Sequence, residues 1–323
     1  MKKSIVFFTI MAMTLTIQGC ANSKRASSSE TSTTSDNAGT VASVSSTDVS
    51  TDAEEGATEA GTAEAAAPEV STVEPGVLQV AMECSYAPYN WTQTDDSNGA
   101  VQIKDSPDYA NGYDVMTTKK IADYLGLKPQ IVKLDWDSLV PAVQSGTVDC
   151  VIAGQSMTKE RKESVDFSTP YYYTKFVVLV RKDSKYADAK GLSDLSGATA
   201  TSQINTTWYD YFLPQIPGVN IQPAQKTVPQ MMVALDSKSC DVLVCDMPTA
   251  LSAQVAYPDF KILDFSDTND GFDTSDEQTN IGCSVKKGNT ALLDAINTVL
   301  SSETKDDFEE QMEEAIKIQP MQQ

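Results

Sequence analysis

The chain has 323 residues, with 24 lysines and arginines against 45 aspartates and glutamates, so its formal net charge at pH 7 is −21. This length allows one large or two medium domains, and the strong negative charge argues against nucleic acid or an anionic membrane surface as a partner. The sequence contains no histidine, which excludes Ser-His-Asp and Cys-His catalysis and most zinc sites. We expect neither a metal nor a cofactor.

Residues 1–20 have the features of a signal peptide, because Lys2 and Lys3 precede an apolar stretch, Ile5–Ile17, that is too short to span a membrane comfortably. This segment ends in Ile-Gln-Gly-Cys, which resembles a lipobox, the motif at which bacteria attach diacylglycerol to cysteine. We expect lipidation of Cys20. The alternative is ordinary secretion with an incidental cysteine.

Residues 21–75 contain no aromatic residue and are dominated by Ser, Thr and Ala. Such a segment cannot bury enough apolar surface to fold, so it predicts a disordered tether.

The six cysteines of the chain show no CxxC spacing, and beyond Cys20 we expect mostly free thiols.

The folded body is predicted to begin with a strand, Val77–Met82, followed by the aromatic loop Glu83–Trp91. An aromatic loop after a strand is typical of a pocket wall, although core packing is the alternative for Tyr89. The polar stretch Thr92–Asn111 lacks EF-hand spacing, and a solvated loop is favoured there over a calcium site.

A helix is predicted to run from Gly112 to Leu125, and a strand to follow at Pro129–Leu134. The next helix has Asp137 or Ser138 as its cap, Pro141 in its first turn and Gly146 at its end. An apolar run, Val148–Ala153, then predicts a buried parallel strand.

The segment that follows this strand carries a candidate anion site. A loop, Gly154–Met157, lies at the carboxyl end of the strand, and Thr158 can cap a helical turn that contains Arg161. Ligands of open α/β sheets bind at that edge, and a guanidinium matches a carboxylate. The alternative is a surface arginine in a charged run.

A second unit repeats this order. The predicted strands are Lys175–Arg181, Ala198–Ser202 and Asp241–Cys245. A helix is expected to start near Thr206, after the second of these strands, and Asp246 directly follows the third. Crossings between the units are predicted at Ser168–Tyr173 and within Ser266–Asn280, which leads to the strand Ile281–Val285. The helices Ala291–Leu300 and Lys305–Ile316 are expected to close the first unit.

Several of these residues resemble the signature region of the bacterial extracellular solute-binding proteins, family 3. The matching residues are Trp136, the Leu-Val-Pro-Ala helix of residues 139–142, the Gly146 turn with Asp149, Thr158 with Arg161, and Phe-Ser-Thr-Pro-Tyr at 167–171. The likeness extends from about Val77 to about Ser301.

This resemblance implies an α/β fold of two lobes, the type II periplasmic-binding-protein-like fold, with two β-strand hinge crossings. Lobe 1 would comprise residues 76–172 and 281–323, and lobe 2 residues 173–280. The implied function is that of the substrate-binding subunit of an amino-acid ABC importer, without catalysis. Its partners would be a free amino acid and the permease subunits. We expect a monomer outside the cytoplasm, lipid-anchored to the outer face of the bacterial cell membrane.

The resemblance also implies a ligand site in the cleft. Arg161 would bind the carboxylate of the amino acid, and Asp246 its α-ammonium, although Asp246 could instead act only as a helix cap. Tyr86 would stack on the ligand. The other expected site residues are Glu83, Trp136, Gly154, Ser156, Gln203, Thr206 and Thr207. Glu83 suggests a basic or amide side chain, but the same acid occurs in relatives of other specificity, so the amino acid stays open.

Two other functions are considered. Relatives on this scaffold include cyclohexadienyl and arogenate dehydratases, for which Glu83 is the candidate acid. The chain could also be a ligand-sensing module for a membrane receptor.

Overall fold

The computed structural model describes residues 68–320. The predicted signal peptide, Cys20 and most of the predicted tether lie outside these residues. The strands are β1 (Val77–Met82), β2 (Ser85–Tyr86), β3 (Asn90–Gln93), β4 (Val101–Gln102), β5 (Tyr109–Asn111), β6 (Lys128–Lys133), β7 (Cys150–Val151), β8 (Val165–Tyr173), β9 (Phe176–Arg181), β10 (Thr199–Thr201), β11 (Asn220–Ile221), β12 (Val242–Asp246), β13 (Phe260–Leu263) and β14 (Asn280–Lys286). The helices are α1 (Tyr113–Leu125), α2 (Leu139–Ser145), α3 (Lys159–Ser164), α4 (Val228–Asp236), α5 (Met247–Ala256), α6 (Asp276–Thr279), α7 (Thr290–Ser301) and α8 (Lys305–Ile318).

Two five-stranded sheets with matching topology form the two lobes. Lobe 1 contains the sheet β6-β1-β7-β14-β8, and lobe 2 the sheet β11-β10-β12-β9-β13. In each sheet the first three strands are parallel and the fourth is antiparallel to the third. The fourth strand enters from the other lobe in both cases: β9 follows β8 of lobe 1, and β14 follows α6 of lobe 2. The predicted two-lobed α/β fold with two crossings is confirmed.

The helix boundaries follow local signals in the sequence. Helices α1 and α2 end at Gly126 and Gly146, whose φ values of 64° and 75° lie in the left-handed region that glycine tolerates. Thr158 caps α3 by accepting a hydrogen bond from the Arg161 amide. Ser138 occupies the capping position of α2 but makes no side-chain cap, because the preceding residues already form a turn of 3₁₀ helix.

The structure corrects two predicted elements. The run Val148–Ala153 contains only the two-residue strand β7, although the flanking amides of Asp149 and Ile152 also donate hydrogen bonds to carbonyls of β1. The helix expected near Thr206 is instead a π-helical turn, Trp208–Phe212, that passes into a 3₁₀ turn. Pro214 of that 3₁₀ turn lacks an N–H, so an α-helical ladder cannot continue through it.

Two further segments differ from expectation. The stretch expected to be a solvated loop, 92–111, supplies β4, β5 and part of β3 to a small antiparallel sheet of order β2-β3-β5-β4. Helix α8 packs on α1 and β8 of lobe 1 as predicted, but it also contacts α5 of lobe 2. Ser252 of α5 donates a 2.5 Å hydrogen bond to Gln319 just after α8. The end of the described chain therefore joins both lobes.

Five cysteines lie within residues 68–320, namely Cys84, Cys150, Cys240, Cys245 and Cys283, and all are buried free thiols. Over the same residues, no helix has the length and apolar character needed to cross a membrane.

Candidate ligand-binding site

The segments that were predicted to bind ligand follow the central parallel strands of the two sheets. Glu83 comes directly after β1, and Gly154 closely follows β7. In lobe 2, Gln203 closely follows β10, and Asp246 is the last residue of β12. Because the carboxyl ends of parallel strands lie at one edge of a sheet, each sheet presents two of these segments to the cleft.

One cavity between the lobes collects nine of the ten predicted site residues. It has about 310 Å³ of space between atoms, part of it open to solvent. The lobes are closed over it, because hydrogen bonds join Tyr86 to Asp246 and Trp136 to Asn205 across the cleft. Its lining is Tyr86, Trp136, Gly154, Ser156, Arg161, Phe176, Gln203, Thr206, Thr207, Trp208, Asp246 and Ile281.

Arg161 points its guanidinium into the cavity without an acidic partner. One terminal nitrogen donates to the Ser156 carbonyl at 2.9 Å, and the other donates to the Asn205 carbonyl at 3.2 Å. The guanidinium also lies over the Trp136 ring, 5.3 Å from its centroid. Within residues 68–320 it forms no ion pair. Desolvation lowers the pKa of Arg161 to about 10, so the group stays cationic at neutral pH.

Asp246 is the complementary group on lobe 2, and its side chain is 1% exposed. Its Oδ1 accepts a 2.9 Å hydrogen bond from the Thr249 amide and so caps α5. Its Oδ2 accepts a 2.5 Å hydrogen bond from the Tyr86 hydroxyl. No lysine or arginine of the described chain pairs with it. Burial raises the pKa of Asp246 above its ordinary value.

Asn205 of lobe 2 forms hydrogen bonds with residues of lobe 1 across the closed cleft. Its carbonyl accepts a hydrogen bond from the Trp136 indole at 3.1 Å as well as the one from Arg161. Its side-chain amide donates to Asp137 at 2.7 Å. Asn205 has a φ of 56°, in the left-handed region where asparagine is better tolerated than most residues.

Glu83 is the predicted residue that does not line the cavity. It is 4% exposed, and its Oε2 accepts a 3.0 Å hydrogen bond from the Gln203 side chain, which lies between it and the cavity. No group within residues 68–320 hydrogen-bonds its buried Oε1. Burial raises the pKa of Glu83.

Gly154 allows the cavity loop to approach the aromatic wall. Its φ is 62°, and a Cβ at this position would lie 2.5 Å from Cε1 of Tyr86. Any other residue would therefore push Tyr86 out of place. Ser156, one of the expected site residues, accepts a hydrogen bond from Arg161 through its carbonyl.

The family model described as "Bacterial extracellular solute-binding proteins, family 3" matches residues 78–315. The chain belongs to this family. Its relatives are amino-acid-binding proteins of ABC transporters, and they lie outside the cytoplasm. The match ends within α8.

Three similar family 3 relatives illustrate the range of ligands. The chain is 25% identical to the L-cystine-binding protein TcyJ of Escherichia coli (strain K12), over 72% of this chain and 79% of TcyJ. A substrate-binding protein from Streptococcus pneumoniae bound to L-arginine superposes with a TM-score of 0.64 and 25% identity, over 75% of this chain and 94% of that one. An ancestral amino-acid-binding protein, a precursor of cyclohexadienyl dehydratase, superposes with a TM-score of 0.61 and 28% identity, covering 75% and 96%.

Three lining residues were not predicted from the sequence: Phe176, Trp208 and Ile281. Phe176 is brought to the cavity because it pairs with Asp246 across β9 and β12. Ile281 forms a bridge with Ser156. Only Trp208 carried a signal in the sequence, since it directly follows the predicted Thr206 and Thr207.

Proposed function

We propose that this family 3 protein is the substrate-binding subunit of an ABC importer and captures a free amino acid between its lobes. Arg161 binds the α-carboxylate and Asp246 binds the α-ammonium. Tyr86 and Trp136 cover the ligand, while Gln203, Thr206, Thr207, Gly154 and Ser156 complete the wall. No chemistry is performed on the ligand.

The observation that carries this proposal is a pair of opposite charges without counter-charges. Arg161 on lobe 1, which is half-buried, and Asp246 on lobe 2, which is buried, both line one cavity, and neither forms an ion pair within residues 68–320. A buried charge without a partner costs about 3–5 kcal/mol. A molecule that carries both an anion and a cation neutralises the two groups together, and only when the lobes are closed.

The test is a ligand screen by thermal shift, followed by calorimetry, across the twenty amino acids, cystine and ornithine. The proposal predicts at least one ligand that binds in the micromolar range or tighter and is recovered intact after incubation. Loss of binding on removal of either the α-carboxylate or the α-ammonium from that ligand would support the assigned pairing. Absence of binding by every amino acid would overturn the proposal.

A dehydratase is the alternative favoured by one observation, the raised pKa of Glu83 together with its unpartnered Oε1. A catalytic acid must reach the substrate, and Gln203 lies between Glu83 and the cavity. This geometry favours binding over catalysis. Product formation from arogenate or prephenate by the purified protein, abolished in Glu83→Gln, would instead support the enzyme.

We also propose that Cys20 carries a lipid that holds the protein at the outer face of the cell membrane, and that the protein acts there as a monomer. The support is the lipobox-like segment before Cys20 and the extracytoplasmic location of the family. Labelled palmitate should enter the full-length chain but not Cys20→Ser. Equal labelling of both would overturn the anchor.

A further inference from the structure

Asp114, near the start of α1, is a fully buried carboxylate that the proposed ligand contacts do not use. Its exposed fraction is 0%, and no lysine or arginine of residues 68–320 pairs with it. Its partners are neutral: Tyr171 donates to Oδ1 at 2.6 Å, and the Asn90 amide donates to Oδ2 at 2.7 Å. Burying a carboxylate without a cation costs free energy of folding. The segments that its hydrogen bonds hold in place therefore indicate its role.

The first of these hydrogen bonds leads to the cavity loop of lobe 1. The hydroxyl of Tyr171 donates to Asp114 and accepts a 2.9 Å hydrogen bond from the Gly154 amide. A hydroxyl has one proton, so donation to Asp114 fixes its lone pairs for Gly154. Gly154 lines the cavity against Tyr86. Tyr171 itself lies in β8, the strand that leads to lobe 2.

The second hydrogen bond leads to the aromatic wall. The Asn90 side chain donates its amide to Asp114 and accepts a 2.6 Å hydrogen bond from the Cys84 amide through its Oδ1. Cys84 stands between Glu83 and Ser85, with a φ of 56°, a left-handed value that is unfavourable for most residues. The Asp114 amide also donates to the Tyr89 carbonyl at 2.8 Å. One side chain thus reaches both lobe 1 walls of the cavity.

We propose that Asp114 is a positioning residue for the ligand site. Through Tyr171 it fixes the Gly154 loop, and through Asn90 it fixes the loop that carries Tyr86. It contacts no ligand itself. This inference rests on the proposed function, because it assigns Asp114 the role of setting the spacing of the two walls that receive the amino acid.

An exchange of two residues tests the connection through Asn90. In Asp114→Asn, the side-chain oxygen of the new asparagine can accept the hydrogen bond from Tyr171, but its NH₂ group then faces the NH₂ group of Asn90. Rotating either amide places two donors together at Tyr171 or at the Cys84 amide instead. The double variant Asn90→Asp with Asp114→Asn restores every donor and acceptor with the same net charge. We expect about tenfold weaker amino-acid binding in the single variant and recovery to within about threefold of wild type in the double variant.

Two tyrosine variants test the hydrogen-bonded connection from Asp114 through Tyr171 to Gly154. Tyr171→Phe removes the acceptor of the Gly154 amide, whereas Tyr172→Phe removes a neighbouring hydroxyl that bonds Glu309 instead. We expect faster hydrogen exchange and a shifted NMR resonance of the Gly154 amide, with weaker binding, only in Tyr171→Phe. The Cys84 amide should respond to Asp114→Asn but not to Tyr171→Phe.

The outcomes separate the two proposals. If wild type binds no amino acid, the proposed function fails. Hydrogen exchange and NMR of the Gly154 and Cys84 amides still test whether Asp114 positions the two loops. If the single variants lose thermal stability while ligand affinity and the Gly154 amide stay unchanged, Asp114 is only structural and the inference is overturned. A folded double variant that does not recover binding would also contradict it. If Asp114→Asn does not fold, the double variant and the tyrosine pair decide.

Discussion

The hydroxyl of Tyr86 on lobe 1 donates a 2.5 Å hydrogen bond to Oδ2 of Asp246 on lobe 2. This contact closes the cleft through the carboxylate that we assign to the ligand ammonium. The other oxygen of Asp246 is already engaged by the Thr249 amide. An entering ammonium therefore displaces or shares the Tyr86 contact, so closure without ligand competes with binding.

This competition makes Tyr86→Phe a gain-of-affinity variant. The ring that covers the ligand is retained, and the hydroxyl that occupies Asp246 is lost. A hydrogen bond to a charged group contributes about 1.5–3 kcal/mol, so we expect binding to tighten by about tenfold or more in calorimetry. Tyr89→Phe is the matched control, since the buried Tyr89 hydroxyl has no hydrogen-bond partner within residues 68–320, and its affinity should not change. Weaker binding in Tyr86→Phe would show that the hydroxyl contacts the ligand instead.

Asp246→Asn separates helix capping from ligand binding. Asparagine caps a helix about as well as aspartate, so the free energy of unfolding should not fall, and removal of a buried charge without a counter-charge should raise it. The affinity for the amino acid should fall by at least about 2 kcal/mol, because the ammonium loses its counter-charge. Urea unfolding and calorimetry on one preparation give both values. Unchanged affinity would leave Asp246 with the capping role alone.

Arg161→Ala tests the carboxylate partner against the simpler interpretation of a surface charge. Loss of the guanidinium leaves the α-carboxylate of the bound amino acid without its counter-charge. We expect the binding free energy to weaken by at least about 2 kcal/mol. Lys162→Ala is the control, because it removes an exposed cation from the same run. Equal small effects of the two variants would remove Arg161 from the site.

Acid should weaken amino-acid binding. Burial raises the pKa of Asp246 above 3.8 in the free protein, and the protonated carboxyl cannot pair with an ammonium. Affinity is therefore full above the raised pKa and declines as the pH falls through it, so the decline begins above the ordinary carboxyl range. Calorimetry in buffers of different ionisation enthalpy should detect proton release on binding within that window. Asp246→Asn should bind weakly, without this proton release.

The stability of the ligand-free protein should depend on pH with the opposite sign. Burial raises the pKa of Asp114 from 3.8 to about 7, so between these values the folded state binds a proton that the unfolded chain does not. The free energy of unfolding of the wild type, relative to that of Asp114→Asn, should then rise as the pH falls from about 7 to about 4. Urea unfolding of both proteins across this range measures the trend. The same pH dependence in both proteins would show that Asp114 does not take up a proton in this range.

Much of the fold could be predicted because its elements carry local signals. Gly126 and Gly146 end their helices in the left-handed conformation, and Thr158 and Thr227 cap theirs. The failures depend on distant contacts. The stretch 92–111 contains strands because β3, β4 and β5 pair with one another, and no local pattern shows that pairing.

The candidate site was predictable to the extent that it lies in motifs. Strand ends and the family pattern located nine residues that surround one cavity. Phe176 could not be found in this way, because it reaches the cavity through the pairing register of β9 with β12. The contact of Tyr86 with Asp246 joins residues 160 positions apart and depends on lobe closure, which the sequence does not encode locally.

A crystal structure of the protein with the amino acid selected by the screen gives the decisive result. We predict that the Arg161 guanidinium contacts the ligand carboxylate while Asp246 contacts the ligand ammonium, at hydrogen-bond distance and between closed lobes. A bound amino acid whose two charged groups are held by other residues, with Arg161 and Asp246 turned towards solvent, would contradict this mechanism of recognition.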